Sequence, residues 1–150
     1  MVTTRTAHPA DVPALEQLAA AAYEPYTPRI GRPPAPMVAD YAAAVHAGHT
    51  WVAEHDGAVV GLLVLVEQPD HVLLENVAVH PAAQGSGVGR LLMQLAEEQA
   101  RTAGFTEIRL YTNEAMTENL AYYPRHGYLE THRVGEDGFR RVYFRKTLTA

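Results

Sequence analysis

Residues 71–104 read HVLLENVAVHPAAQGSGVGRLLMQLAEEQARTAG, and three kinds of local structure succeed one another in that stretch. Residues 72–79 form a dense apolar run whose only strongly polar members are Glu75 and Asn76, the composition of a strand covered on both faces. His80-Pro81 ends the run, because Pro81 has no amide to give to a ladder. Gln84-Gly85-Ser86-Gly87-Val88-Gly89-Arg90 follows, and from there Val88, Leu92, Leu95, Ala96 and Ala103 recur at helical spacing. A strand, a glycine-rich turn and a helix start together aim several backbone N–H groups at one point, backed by the positive end of the helix dipole. Such a point suits a phosphate or a pyrophosphate. A tight turn whose glycines serve only helix packing is the competing account, yet three glycines in five residues exceed what a turn needs.

Composition bounds the rest. A chain of 150 residues is expected to form one domain, residues 1–150, with a substantial core. It is 47% hydrophobic and 19% charged, with 11 Gly and 10 Pro, an ordinary globular profile. The formal charge of −5 argues against a nucleic-acid surface, although arginines cluster late in the chain at Arg140, Arg141 and Arg145. No apolar run reaches membrane-spanning length and the first residues carry no signal-peptide pattern, so no membrane partner and a cytoplasmic setting are expected. The absence of cysteine excludes disulfides, thiolate metal ligands and a cysteine-bound acyl intermediate.

Outward from the central stretch, the pattern alternates strands and helices. A short strand is expected at residues 3–6, then a helix opened by His8-Pro9-Ala10-Asp11 with Val12, Leu15, Leu18, Ala19 and Ala22 as its buried stripe. Residues 23–36, YEPYTPRIGRPPAP, carry five prolines, two tyrosines and two arginines, which predicts a shaped loop without regular structure. Residues 37–47 return to a helix, with Val38, Tyr41, Ala42 and Val45 on one side. Strands at 50–54 and 58–67 flank a hairpin turn at His55-Asp56-Gly57. After the central helix, Gly104 is its stop. A strand at 107–112 and a short helix at 118–125, which Pro124 must end or distort, lead to strands at 128–133 and 139–147 joined by Gly135-Glu136-Asp137-Gly138. The expected fold is a single α/β or α+β unit with a mixed sheet.

The phosphate-bearing ligand can be narrowed by elimination. A dinucleotide fingerprint, Gly-x-Gly-x-x-Gly, fails because the third position falls on Arg90. A Walker loop needs a lysine after its second glycine, and the one lysine is Lys146. What remains is Gln-x-x-Gly-x-Gly, met by Gln84, Gly87 and Gly89. With the second motif Asn119-Leu120-Ala121-Tyr122-Tyr123-Pro124-Arg125-His126-Gly127-Tyr128, in which Tyr123 lies four residues before Gly127, the chain resembles the GNAT N-acetyltransferase superfamily. The resemblance spans nearly the whole chain in element order.

The resemblance implies a single-domain, mostly antiparallel central sheet flanked by helices, and an acyltransferase that uses acetyl-CoA as cosubstrate and no metal. It implies that Gln84, Gly85, Ser86, Gly87, Val88, Gly89 and Arg90 hold the pyrophosphate of coenzyme A. It implies also that Val77, Ala78 and Val79 offer backbone to the amide-like pantetheine arm, in the manner of an added strand, and that Asn119 contacts the cofactor. Tyr123 is implied as the acid that protonates the leaving thiolate, against the alternative of a buried helix aromatic, and the N–H of Val77 as oxyanion support. Glu75 is the candidate base, because a carboxylate in an apolar run must be either solvated by a cleft or paired, for instance with Arg109. Those two accounts stay open.

For the acceptor, Tyr23, Tyr26, Arg29 and Arg32 are the candidates, an aromatic and cationic wall suited to a small amine that carries a carboxylate or phosphate. A proline-stiffened loop with its arginines in water is the alternative. A protein N-terminus or lysine as acceptor, and a non-catalytic sensor of acyl-CoA, are the rival functions. A homodimer is left open. The eight histidines show no metal-ligand spacing.

Overall fold

The apolar run at residues 72–79 becomes strand β4 (Val72–Val79), the middle strand of a seven-stranded sheet in the computed structural model, which describes residues 1–149. Its companions are β1 (Val2–Thr6), β2 (Thr50–His55), β3 (Ala58–Glu67), β5 (Glu107–Asn113), β6 (Leu129–Glu136) and β7 (Phe139–Thr147). The order across the sheet is β1-β2-β3-β4-β5-β7-β6. All neighbours run antiparallel except β4 and β5, which are parallel. This is the mixed, mostly antiparallel sheet expected above.

Helices cover both faces. On one side α4 (Val88–Thr102) and α5 (Thr117–Arg125) enclose a core that includes Leu63, Leu74, Leu92, Met93, Ala96, Tyr123 and Phe144. On the other, α1 (Val12–Tyr23) and α3 (Tyr41–His46) bury Leu15, Leu18, Tyr41 and Val45 against Leu62, Val64 and Ala78. Alternate residues of β3 and β4 feed the two cores, and this accounts for their nearly continuous apolar sequences.

Several boundaries differ from the sequence expectation, each for a physical reason. Residues 23–36 are not irregular: α1 runs into a 3₁₀ turn at Glu24–Tyr26, the one-turn helix α2 (Thr27–Ile30) and a further 3₁₀ turn at Ala35–Met37. Pro25, Pro28 and Pro36 each stand at the start of one of these turns, where the missing amide costs nothing. The next helix begins at Tyr41, later than expected, because the Asp40 side chain accepts the Ala43 amide at 3.0 Å as an N-cap. Val38 therefore lies outside the helix and is 70% exposed, and Ala42 is exposed too. In α4, Met93 and Ala100 are buried where Ala103 is not. The last hairpin turns on Asp137-Gly138 alone, both left-handed at φ 53° and 79°, so β6 extends to Glu136. The first hairpin uses Asp56-Gly57 in the same way, at φ 50° and 79°.

The entry to α1 is held by an ion-paired knot. Arg5 on β1 donates to both carboxylate oxygens of Asp11, at 2.7 and 2.9 Å, and reaches Glu54 on β2. Asp11 also accepts the His8 amide at 2.7 Å. The Arg5 guanidinium holds the Asp11 carboxyl down at about 2. A depressed carboxylate stabilises the fold above its ordinary pKa and loses that contribution as pH falls through about 2. Asp11→Asn is therefore expected to lower the unfolding free energy by about 1–2 kcal/mol near neutral pH. Urea titrations should show the gap between variant and parent closing below the ordinary carboxylate range; a gap independent of pH would contradict this account.

Candidate active site

The parallel ladder between β4 and β5 is short. It holds only Val72 opposite Ile108 and Leu73 opposite Arg109. Beyond them β5 continues to Asn113 against β7, while β4 keeps β3 as its only strand partner. A bulge explains the divergence. On β3, Val64 faces Asn76 and the next residue, Leu65, faces Leu74, so Glu75 is an extra residue with no partner of its own. A bulge bends its strand and re-aims the side chains beyond it. Before it Val72 and Leu74 face the α4 core; after it Val77 and Val79 do, and Asn76 and Ala78 turn to the α1 side. The gap so opened belongs to a cavity of about 440 Å³.

A buried polar chain anchors the α1 side of that cavity. Asn76, only 6% exposed, accepts from the Tyr23 hydroxyl through Oδ1 and donates from Nδ2 to the Tyr41 hydroxyl at 2.7 Å. The Tyr41 hydroxyl donates a hydrogen bond to the carbonyl of Pro36, and the Tyr23 hydroxyl also donates to the carbonyl of Val77 at 3.1 Å. A buried amide and two buried phenols are thereby satisfied together. Burial pushes both phenols upward, so both stay protonated. The network ties α1, α3 and the proline-rich segment to β4 immediately beside the bulge.

Glu75, Val77, Asn119, Tyr123 and Tyr23 all border this one cavity. Glu75 is exposed to it and makes no ion pair or side-chain hydrogen bond among the described residues. Arg109, its alternative partner, instead binds Glu107 and lies 3.6 Å from Asp70. Of the two accounts of Glu75, the geometry matches the solvated one. Tyr123 is 7% exposed and packs edge-on to Tyr122 and Tyr128. Its hydroxyl has no partner among the described residues, and burial pushes its pKa up, which keeps its proton in place across neutral pH. Asn119 donates to the Thr112 hydroxyl at 3.0 Å.

The other acceptor candidates stand elsewhere. Tyr26 and Arg29 both bind Glu118 of α5, at 3.1 and 2.6 Å, and Arg29 holds that carboxyl at about 2. Arg32 lies over the Phe139 ring, 4.1 Å from its centroid. These three strap the proline-rich segment to α5 and to the last hairpin and do not border the cavity.

At the far end of β4 the chain makes a 3₁₀ turn at Pro81–Ala83, capped by His80 accepting the Ala82 amide at 3.1 Å, and enters the glycine turn. Gln84 donates to the carbonyl of Val79 at 3.4 Å and Ser86 to that of Ala83. Gly87 caps α4 at φ 89°, a conformation L side chains rarely adopt. Gly89 sits close under α5, where a Cβ would stand 3.2 Å from the Tyr122 hydroxyl and press on it. Among the described residues, the amides of Gly85 through Arg90 have no acceptor. A row of unspent donors at the start of a fifteen-residue helix fits the phosphates of a nucleotide cofactor. No three His, Asp or Glu side chains converge on a metal-sized site among the described residues.

Four residues of the site were not singled out from sequence as part of it. Tyr41 sat in a helical stripe and read as core; Asn76 was visible as a polar break but had no stated partner. Tyr111 and Arg141 also border the cavity, from β5 and β7. Alternation along those strands gave them a face but no neighbour.

Comparison with known proteins agrees with this geometry. Residues 13–128 match the family model described as acetyltransferase (GNAT) family. The mycothiol acetyltransferase of Jonesia denitrificans is 36% identical over 77 residues, 50% of this chain and 24% of that protein. The uncharacterized N-acetyltransferase YjgM of Escherichia coli is 34% identical over 86 residues, 54% of this chain and 52% of that protein. The chain thus matches about a quarter to a half of the length of these curated relatives. In fold, the PaiA N-acetyltransferase of Thermoplasma acidophilum, solved with coenzyme A, superposes with a TM-score of 0.80 at 14% identity, over 98% of this chain and 99% of that one. With a family model matched across most of its length, the chain belongs to the GNAT acetyltransferase family.

Proposed function

We propose that the protein is an acetyl-CoA-dependent N-acetyltransferase that passes an acetyl group directly to the primary amine of a small molecule. One observation carries the reading. Beyond Leu73 the edge of β4 that faces β5 has no strand partner, and one 3₁₀ turn after its end stand the unspent amides of Gly85 through Arg90. An amide-bearing pantetheine arm can add to that edge as a strand would, with the pyrophosphate at the α4 N-terminus. Bound acetyl-CoA supplies an activated acyl carbon; the chain supplies position and protons.

The roles follow from where each group sits. A primary alkylamine has a pKa near 10.4, so at neutral pH it must lose a proton before it attacks. Glu75, unpaired and facing the cavity, takes that proton directly or through water. The nitrogen then bonds to the acetyl carbon, the carbon–sulfur bond breaks as Tyr123 gives its proton to the sulfur, and the second proton leaves the nitrogen to water, from which Tyr123 is reprotonated. The Val77 amide meets the charge that develops on the carbonyl oxygen. With no cysteine to carry the acyl group, transfer is direct. Walls from the proline-rich segment and the last hairpin limit the cavity to about 440 Å³, which favours a small acceptor over a folded protein surface. The free carboxylate and free phenol in one cavity favour an enzyme over a sensor.

Incubation with acetyl-CoA and a panel of primary amines, with free thiol as readout, tests the reading. Acceptor-dependent thiol release is expected; saturable coenzyme A binding without turnover on any amine would mark a sensor instead. Tyr123→Phe is expected to lower kcat at least about tenfold with little change in coenzyme A affinity, and an unchanged kcat would remove Tyr123 from the acid role. Glu75→Gln is expected to depress the rate most near neutral pH and progressively less as pH approaches the amine's own pKa of about 10.4. A pH–rate profile that keeps its shape would eliminate Glu75 as base.

A further inference from the structure

Arg141 is the unexplained cation of the site. Its side chain is only 11% exposed, and it borders the cavity from β7. The guanidinium lies over two rings, 4.4 Å from the Tyr111 centroid and 5.4 Å from that of Phe139. One nitrogen, Nη1, bonds Asp137 at 3.2 Å and stands 3.8 Å from Glu136. Nη2 and Nε make no hydrogen bond among the described residues. Five N–H donors with one bond made, on a group almost withdrawn from solvent, leave an edge of in-plane donors that needs an acceptor.

The surroundings limit what that acceptor can be. Asp137, at the exposed tip of the last hairpin, and Glu136 both face Arg141 through Nη1 alone, so Nη2 and Nε stay unspent. On the same cavity Glu75 is a carboxylate without a partner among the described residues, and Tyr111, whose ring packs against Arg141, borders it too. Arg141 and Glu75 therefore share a cavity that Asp40, His49, Asn113 and Asn119 also border, and one stretch of its wall is apolar, built from Pro34, Pro36, Ala43, Ala44 and Met116. A guanidinium packed against two rings, with Nη2 and Nε unspent, can take a carboxylate with two parallel bonds.

We propose that the acceptor is an amino acid with an apolar side chain, its carboxylate held by Arg141 and its amine presented to Glu75. The inference rests on the acetyltransferase reading and makes Arg141 a specificity-determining residue. It replaces Arg29 and Arg32 as the source of anion recognition, since Arg29 is committed to Glu118 and Arg32 stacks outside the cavity. The apolar wall receives the side chain, and a charged side chain there would lose its water without a partner.

The test compares leucine and phenylalanine with isopentylamine and phenethylamine, the same molecules without the carboxylate, under acetyl-CoA saturation. The parent protein should favour the amino acids in kcat/KM by about tenfold or more, chiefly through KM. In Arg141→Gln that ratio should fall to near one, and Arg141→Lys, which keeps charge but not the fork, should give an intermediate ratio. Circular dichroism melts and coenzyme A affinity establish that each variant is folded. Turnover of both classes with no preference in the parent, or a preference that survives Arg141→Gln, overturns the proposal and leaves the acetyltransferase reading standing. No thiol release with any acceptor overturns both.

Discussion

Everything at the centre of this molecule depends on the β4–β5 ladder stopping after two residue pairs. A sheet normally gains from every rung, so a parallel pair that ends early must be held apart by something that costs less than closure. Here one extra residue, Glu75, shifts the register of β4 against β3 and bends the strand away from β5. β5 pairs with β7 along its whole length on its other edge, so past that point the facing edges of β4 and β5 both lack a strand partner. An unpaired edge inside a protein is a liability unless another chain or ligand completes it. The two packed faces, each with its own core, make the opening rigid, because neither sheet half can slide without emptying a core.

The bulge would be a weak device without the polar chain beside it. Asn76 is fixed at both ends by Tyr23 and Tyr41, and Tyr41 is tied in turn to Pro36. Fully satisfied networks of this kind specify one arrangement, since any shift strands a buried polar group. The same network carries α1, α3 and the proline-rich segment to the cavity, so the bend in β4 and the wall on its α1 side come from one set of contacts. Environment then divides the chemistry. Glu75 faces the cavity without a partner, whereas Tyr123 is enclosed by rings that raise its pKa and keep it protonated.

Much of this was legible in the sequence, and the reasons differ by element. β4, β3 and β7 declared themselves by long apolar or alternating runs between turn residues, and Gly85, Gly87 and Gly89 announced a turn that only small residues allow. Tyr123 could be found because its spacing to Gly127 is local. The bulge could not be read, because it is a relation between β4 and β3 that no single strand displays. Nor could the fate of the arginines: Arg29, Arg32 and Arg141 look alike in sequence, and only Arg141 reaches the cavity, because the register of β7 against β5 places it beside Tyr111 and Asn113. The prolines of residues 23–36 misled, since a proline that breaks a helix interior is well placed at the start of a short turn.

The central claim is that the free edge of β4 and the amides of the glycine turn form one continuous binding path. Backbone-resolved hydrogen exchange with and without coenzyme A tests it most directly, residue by residue. Coenzyme A should protect the amides of Val77 or Val79 together with several of those from Gly85 through Arg90, and leave the β1–β2 edge unchanged. Protection confined to the glycine turn, with the β4 amides exchanging as before, would contradict the account.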